Sequence, residues 1–283
     1  MNSTLLNISG KIDPNIVNIF EAVNNAINEF NIPYVIIGAT ARDLVLHFGH
    51  DAKIERATQD VDFAIEVPNW AAFNALKERL CDDKFKTTRS EHRLISPLNT
   101  AIDIIPFGQV ADKQSSISWP PEGDIVMNVL GFQDACDSAE WVRIQNDPIL
   151  DIPVASPAGL SLLKCIAWTN RVGDIRKKDA TDIAYLLSTY EKIPVVVDQL
   201  YELNDSEIME LYDWDITQAA SHLLGKHAKD IAKQNTHQAI TRLIKGELGG
   251  LNLEKLAVEM GDDFNVKQSR NEQLLSAFVA GFS

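Results

Sequence analysis

The stretch Asp-Val-Asp-Phe-Ala-Ile at residues 60–65 decides how the surrounding chain is interpreted. Its β-branched and aromatic residues are typical of a strand. Side chains alternate between the two faces of a strand, so the carboxylates of Asp60 and Asp62 project from the same face. Val61 and Phe63 project from the opposite, apolar face. The stretch therefore predicts two acidic groups side by side on the surface of a sheet.

A third carboxylate, Asp103, lies in the apolar run Ala-Ile-Asp-Ile-Ile at residues 101–105. A buried, unpaired carboxylate is costly, which favours a functional role for this residue. Two aspartates at this spacing are by themselves common on solvated strand faces, so the third one carries the interpretation. Three anionic groups on one sheet surface would repel one another without a cation, and oxygen ligands suit Mg²⁺ or Mn²⁺. We therefore predict a divalent metal site at Asp60, Asp62 and Asp103.

A turn precedes the first two aspartates. Gly38-Ala39-Thr40 follows a short β-branched run and opens a segment with helical character. Glycine permits the close approach of a phosphate, and the N-terminus of a helix favours an anion. Thr40 could donate its hydroxyl to a phosphate, and Arg42 could face it from the helix. The alternative is an ordinary helix cap, the commoner role of a hydroxyl residue after glycine.

Helices and strands alternate in the first half of the chain, which indicates an α/β (α+β) sheet domain. Ser156-Pro157 is typical of a helix start, with a capping residue followed by proline at the first helical position. Apolar residues recur at helical spacing beyond that point. We therefore predict a sheet domain over residues 1–153 and a helical domain over residues 154–283.

The spaced set of motifs resembles a known superfamily. The turn at residues 38–43, the Asp60-Val61-Asp62 pair and the later Asp103 resemble the signature of polymerase-β-like nucleotidyltransferases. Lys164-Cys165-Ile166-Ala167 is similar to the K-x-x-A motif of the AbiEii toxin family, and residues 176–182 are similar to its R-x-K-D-x-x-D motif. The combination is much more specific than any one motif. One departure is that Ala39 separates Gly38 from a hydroxyl residue that is usually serine.

The resemblance implies transfer of a nucleoside monophosphate from an NTP to an acceptor hydroxyl, with release of pyrophosphate and dependence on Mg²⁺ or Mn²⁺. It implies that Lys164 and Arg176 bind the nucleotide, with Lys164 at the triphosphate, while Asp179 and Asp182 support the site or help to position base and acceptor. It also implies an RNA acceptor such as tRNA and a cognate antitoxin. Without the resemblance, Lys164 would be a surface lysine and Arg176 would pair with Asp179 one helical turn away.

Composition limits the remaining possibilities. A formal charge of −14 weighs against indiscriminate nucleic-acid binding, so any RNA contact must be local. No apolar run reaches the roughly 20 residues of a membrane span, and no signal-peptide pattern is present, so we expect a cytoplasmic protein without membrane contact. The three cysteines are widely spaced and the histidines lack zinc-ligand spacing. The sequence therefore indicates neither a disulfide framework nor a zinc site.

Two other functions remain open. An acidic surface suits the cationic acceptors of small-molecule, antibiotic-modifying nucleotidyltransferases. The altered Gly38-Ala39-Thr40 turn is also compatible with a catalytically inactive protein that binds a nucleotide or a partner.

Overall fold

The computed structural model describes residues 5–54, 60–120, 123–202, 206–261 and 266–283. The chain divides into two compact units, of which the first comprises Met1–Gly49 with Lys53–Ser156 and the second His50–Ala52 with Pro157–Ser283. The first unit is built on a sheet and the second is helical. The predicted mixed α/β class, with helices after the sheet, is confirmed.

The sheet of the first unit has eight strands among the described residues, in the order β1-β9-β10-β2-β3-β6-β5-β4. The strands are β1 Leu6–Asn7, β2 Tyr34–Ile37, β3 Asp60–Glu66, β4 Lys86–Thr87, β5 Arg93–Ile95, β6 Ala101–Phe107, β9 Glu140–Asn146 and β10 Ile149–Val154. A separate antiparallel pair joins β7 Ser116–Ser118 to β8 Val126–Asn128.

The centre of the sheet is mixed in direction. Strand β3 pairs antiparallel with β2 and parallel with β6, and β6 pairs antiparallel with β5. All four residues of β2 are buried, as are Val61 and Phe63 of β3. These apolar side chains fix the register, because a slip of one residue would turn them to the other face of the sheet.

Four α-helices accompany the described part of the sheet: α1 Pro14–Glu29, α2 Gly38–Arg42, α3 Trp70–Asp82 and α4 Phe132–Asp137. The backbone amides at the starts of α1 and α3 receive side-chain caps from Asp13 and Asn69, respectively. Helix α2 passes directly into a π-helical segment, Asp43–Gly49. The first helical stretch after the glycine turn was predicted, whereas its change to wider π-helical hydrogen bonding was not.

The second unit consists of helices. They are α5 Pro157–Asn170, α6 Gly173–Thr189, α7 Pro194–Tyr201, α8 Ser206–Leu211, α9 Ile216–Ile231, α10 Gln234–Ile244, α11 Leu253–Glu259 and α12 Val266–Phe282. Helix α5 begins at the predicted proline. Helices α9 and α12 cross closely at two glycines, because a Cβ on Gly225 would collide with the carbonyl group of Phe278 and a Cβ on Gly281 with that of His222. No helix in the described residues combines the length and hydrophobicity needed to cross a membrane.

Candidate active site

The three predicted acidic residues lie on two neighbouring strands of the sheet. Asp62 of β3 is in register with Asp103 of β6, and Asp60 precedes Asp62 by two residues on the same face. Asp103 is buried at 7% exposure, whereas the Asp60 side chain is 37% exposed. We call Asp60, Asp62 and Asp103 the acidic row. The structure therefore brings together the carboxylates that the sequence placed on one sheet surface.

Arg93, which the sequence reasoning missed, adds a cation to the acidic row. Its Nε donates to Asp103 Oδ1 at 2.7 Å, and its Nη2 donates to Asp103 Oδ2 at 2.7 Å and to Asp60 Oδ2 at 2.9 Å. The hydrogen bonds to Asp103 are the main cause that raises the pKa of Arg93 above its usual value. One guanidinium thus holds two of the three carboxylates.

A hairpin puts Arg93 in this position. Strands β5 and β6 are joined by a loop in which Ser96 N donates to Thr100 O at 2.9 Å and Thr100 N donates to Ser96 Oγ at 3.1 Å. The register of this hairpin aligns Arg93 with Asp103. The signal in the sequence was the turn-forming Ser-Pro-Leu-Asn-Thr segment at residues 96–100, from which the register could have been counted back to Arg93.

The glycine turn lies against the acidic row. Gly38 has φ of +73°, and a Cβ placed on it would collide with Asp62 Oδ2 and lie 3.0 Å from Asp62 Cγ. Only glycine therefore allows both this backbone conformation and this position of the Asp62 carboxylate. Ala39 is the next residue of the turn and is buried.

Thr40 connects the turn to β3. Its Oγ1 donates to the backbone carbonyl of Asp60 at 2.8 Å, and the residue is buried. Helix α2 begins at Gly38 without a side-chain cap, so Thr40 does not act as the helix cap that was considered as an alternative. The predicted contact between the Thr40 hydroxyl and a phosphate stays a prediction.

Arg42 lies in a buried ion pair with its neighbour. Its Nε and Nη2 donate to Asp43 Oδ1 at 2.9 Å and 2.8 Å, and both residues are less than 7% exposed. Because the two opposite charges are paired, neither side chain is buried as an unpaired ion. The role of Arg42 toward a nucleotide stays a prediction.

The helical unit groups three of its predicted site residues. Lys164 Nζ lies 2.6 Å from Asp182 Oδ2 and 3.2 Å from Asp179 Oδ1. Arg171 Nη1 donates to both oxygens of Asp179 at 3.0 Å. Asp179 and Asp182 are 1% and 3% exposed, so these two carboxylates are buried against cations. Lys164 is thus held between the two aspartates of the second motif.

Arg176 is bound elsewhere in the helical unit. Its Nη2 and Nε donate to Glu259 Oε1 and Oε2 at 2.6 Å and 2.9 Å, and Trp168 Nε1 donates to Glu259 Oε2 at 2.8 Å. Burial acts to raise the pKa of Glu259, but these hydrogen bonds outweigh it and lower the pKa. The local alternative that paired Arg176 with Asp179 was wrong, since Glu259 of α11 takes its guanidinium.

The acidic row was tested for its fit to a divalent ion. No three His, Cys, Asp or Glu side chains in the described ranges are grouped so that they could hold one. In the acidic row, both oxygens of Asp103 and one oxygen of Asp60 accept hydrogen bonds from Arg93. The chemistry of the row still suits such an ion, since it supplies carboxylate oxygens on one sheet face and already carries a cation. The donor chemistry of the row is thus of the kind that suits Mg²⁺ or Mn²⁺, and the binding of an ion there stays a prediction.

An acidic row on a mixed α/β sheet, beside a glycine turn that opens a helix, is the arrangement that the sequence motifs predicted for a nucleotidyltransferase. The model of the family described as "Nucleotidyl transferase AbiEii toxin, Type IV TA system" matches residues 23–248. This match covers most of the chain and extends over parts of both units. The chain belongs to the AbiEii nucleotidyltransferase toxin family, as its motifs predicted.

Several solved structures are similar to this chain at low sequence identity. A crystal structure of an antigenic nucleotidyltransferase-like protein from Paracoccidioides brasiliensis is 20% identical, with a TM-score of 0.39 over 60% of this chain and 74% of that one. The antibiotic-resistance factor ANT(2'')-Ia is 11% identical, with a TM-score of 0.35 over 65% and 90%. The Thermotoga maritima CCA-adding enzyme complexed with tRNA is 12% identical, with a TM-score of 0.29 over 94% and 80%. No curated protein matches the chain.

Proposed function

We propose that this protein transfers a nucleoside monophosphate from an NTP to an acceptor hydroxyl and releases pyrophosphate. Family membership supports this reaction class. The observation that carries the proposal is the register of Asp62 with Asp103 on adjacent strands, directly beside the Gly38 turn. A carboxylate row next to a glycine turn that opens a helix suits this chemistry, because the helix start favours an anion.

In this proposal Asp60, Asp62 and Asp103 hold one or two Mg²⁺ or Mn²⁺ ions. Such ions supply charge neutralisation for the triphosphate and lower the pKa of an attacking hydroxyl. Asp103 is assigned to the acceptor side, where it would take the proton of the incoming hydroxyl. Gly38 and Ala39 are assigned to the phosphates through the backbone of the turn at the start of α2. Thr40 fixes the turn to β3 through its hydrogen bond to the Asp60 carbonyl.

Within the helical unit we assign Lys164 the triphosphate contact that the family resemblance implies. Asp179 and Asp182 are then positioning residues, because they hold the ammonium group of Lys164 between them. Arg176 is assigned a supporting role rather than direct nucleotide contact, since its Nε and Nη2 already donate to Glu259. This division of roles leaves Lys164 as the cation for the nucleotide in that unit.

The acceptor we propose is RNA, and a tRNA terminus is the first to test. The family resemblance implies this choice, and the Type IV TA description of the family supports a cognate antitoxin as a protein partner. The formal charge of −14 requires that RNA contacts be confined to a local surface. The same charge favours a second candidate, a small cationic acceptor of the antibiotic type.

The test is transfer of α-phosphate-labelled ATP, GTP, CTP and UTP to RNA, protein and small-molecule fractions with Mg²⁺. Wild type is compared with Asp62→Asn and with Asp151→Asn, a matched control whose carboxylate pairs with Arg143 on β9 and β10. We expect label in the RNA fraction with wild type and Asp151→Asn, and none with Asp62→Asn. Label in the small-molecule fraction instead would select the second candidate. No label from folded protein that binds NTP would reject turnover and support a nucleotide-binding protein.

A further inference from the structure

The oxygens of the acidic row are arranged around a guanidinium. Arg93 binds both oxygens of Asp103 and one oxygen of Asp60, with all three distances between 2.7 and 2.9 Å. Two parallel hydrogen bonds from one guanidinium to one carboxylate form a strong, directional pair. The Arg93 side chain is also 37% exposed, so its guanidinium can move from the carboxylates into solvent.

The pair is not needed to hold the hairpin. The backbone ladder between β5 and β6, with three aligned residue pairs, and the bonds of the Ser96–Thr100 turn already fix the register. The guanidinium instead offsets one negative charge of the acidic row. A divalent ion placed on the same oxygens would lie within a few ångströms of Arg93, where two cations repel each other strongly.

We propose that Arg93 is the built-in counter-ion of the acidic row, and that a divalent ion binds by taking Asp103 and Asp60 from its guanidinium. This inference rests on the proposed function, in which the same carboxylates hold the ion. Arg93 thereby offsets one negative charge of the row in the metal-free protein and lowers the affinity for the ion. It is a positioning residue that acts through Asp103 and Asp60.

The test is a Mn²⁺ titration followed by the electron paramagnetic resonance signal of the free ion. Arg93→Gln removes the competing charge, so we expect Mn²⁺ to bind about tenfold more tightly than to wild type. Arg143→Gln removes a similar guanidinium, bonded to both oxygens of Asp151 at 2.8 and 2.9 Å, and should leave Mn²⁺ affinity unchanged. Unchanged or weaker binding in Arg93→Gln would overturn the inference.

Arg93→Lys provides a second variant in case Arg93→Gln does not fold. Lysine keeps the charge but cannot donate two parallel hydrogen bonds to the Asp103 carboxylate. We therefore expect Mn²⁺ to bind to Arg93→Lys about threefold more tightly than to wild type. Equal or weaker binding in Arg93→Lys would contradict the inference. Thermal melting without metal verifies that each variant is folded.

The same titration separates this inference from the proposed function. Asp62→Asn should lose Mn²⁺ binding if the acidic row is the metal site, whatever Arg93 does. Equal Mn²⁺ binding by wild type and Asp62→Asn would reject the metal site and, with it, both proposals. Loss of binding in Asp62→Asn together with no gain in Arg93→Gln would reject the role of Arg93 alone.

Discussion

Substitution of Gly38 by alanine should lower the activity of the protein strongly and its stability only modestly. Gly38 has φ of +73°, and an alanine in this left-handed conformation costs about 1–2 kcal/mol. Its Cβ would also lie 3.0 Å from Cγ and 3.3 Å from Cβ of Asp62 and would collide with Oδ2. Because the Asp62 carboxylate can rotate away from the new Cβ, we expect the substitution mainly to displace this carboxylate. A displacement of about 1 Å in a catalytic group can lower the rate about a hundredfold.

Gly10 provides the matched control in the same unit. Its φ is +78°, and a Cβ built on it meets no atom within 4 Å. Gly10→Ala therefore carries the backbone strain without the contact. Urea denaturation should show similar losses of about 1–2 kcal/mol in the free energy of unfolding for both variants. Label transfer should fall about a hundredfold in Gly38→Ala and stay near wild type in Gly10→Ala. Equal activities of the two folded variants would refute the role of the Gly38 turn in placing Asp62.

Further predictions concern charges and a thiol outside the acidic row. The hydrogen bond from Arg270 holds the pKa of Asp215 well below its unfolded value of 3.8, so the pair stabilises the protein above that value and is lost as pH falls. Melting temperature should therefore drop more steeply from about pH 5 to about pH 3 in wild type than in Asp215→Asn, and equal slopes would contradict this. Arg42→Ala leaves the buried Asp43 carboxylate without its guanidinium and should lower the free energy of unfolding by about 3 kcal/mol in urea denaturation, whereas a loss under about 1 kcal/mol would refute a tightly coupled pair. Burial raises the pKa of Cys165 to about 12, so a thiol reagent at pH 8 should modify it only after unfolding, and mass spectrometry of the native protein would reveal an early modification.

The acidic row could be predicted because its determinants are short-range. Alternation along β3 places Asp60 and Asp62 on one face, and the same rule isolates Asp103 among apolar neighbours. Their meeting in the sheet also required the parallel pairing of β3 with β6, which the residue pattern did not specify. The metal-binding roles of these residues stay predictions.

The partners of the cations could not be predicted in the same way. Arg93 reaches Asp103 through the register of a hairpin, which depends on the length of the turn between two short strands. Arg176 pairs with Glu259, 83 residues further along the chain, although helical spacing favoured Asp179 at three residues. Tertiary packing decided between these carboxylates, because Glu259 also accepts a hydrogen bond from the buried Trp168.

The position of the label on the acceptor tests the central claim most directly. Purified protein is incubated with Mg²⁺ and total RNA, in parallel reactions with the NTP labelled at the α- or at the γ-phosphate, and Asp103→Asn is compared with Asp151→Asn. Nucleotidyl transfer predicts α-label on the acceptor and γ-label in released pyrophosphate, with both signals lost in Asp103→Asn and kept in Asp151→Asn. Label from the γ-phosphate on the acceptor, or α-label that survives Asp103→Asn, would contradict nucleotidyl transfer by the acidic row.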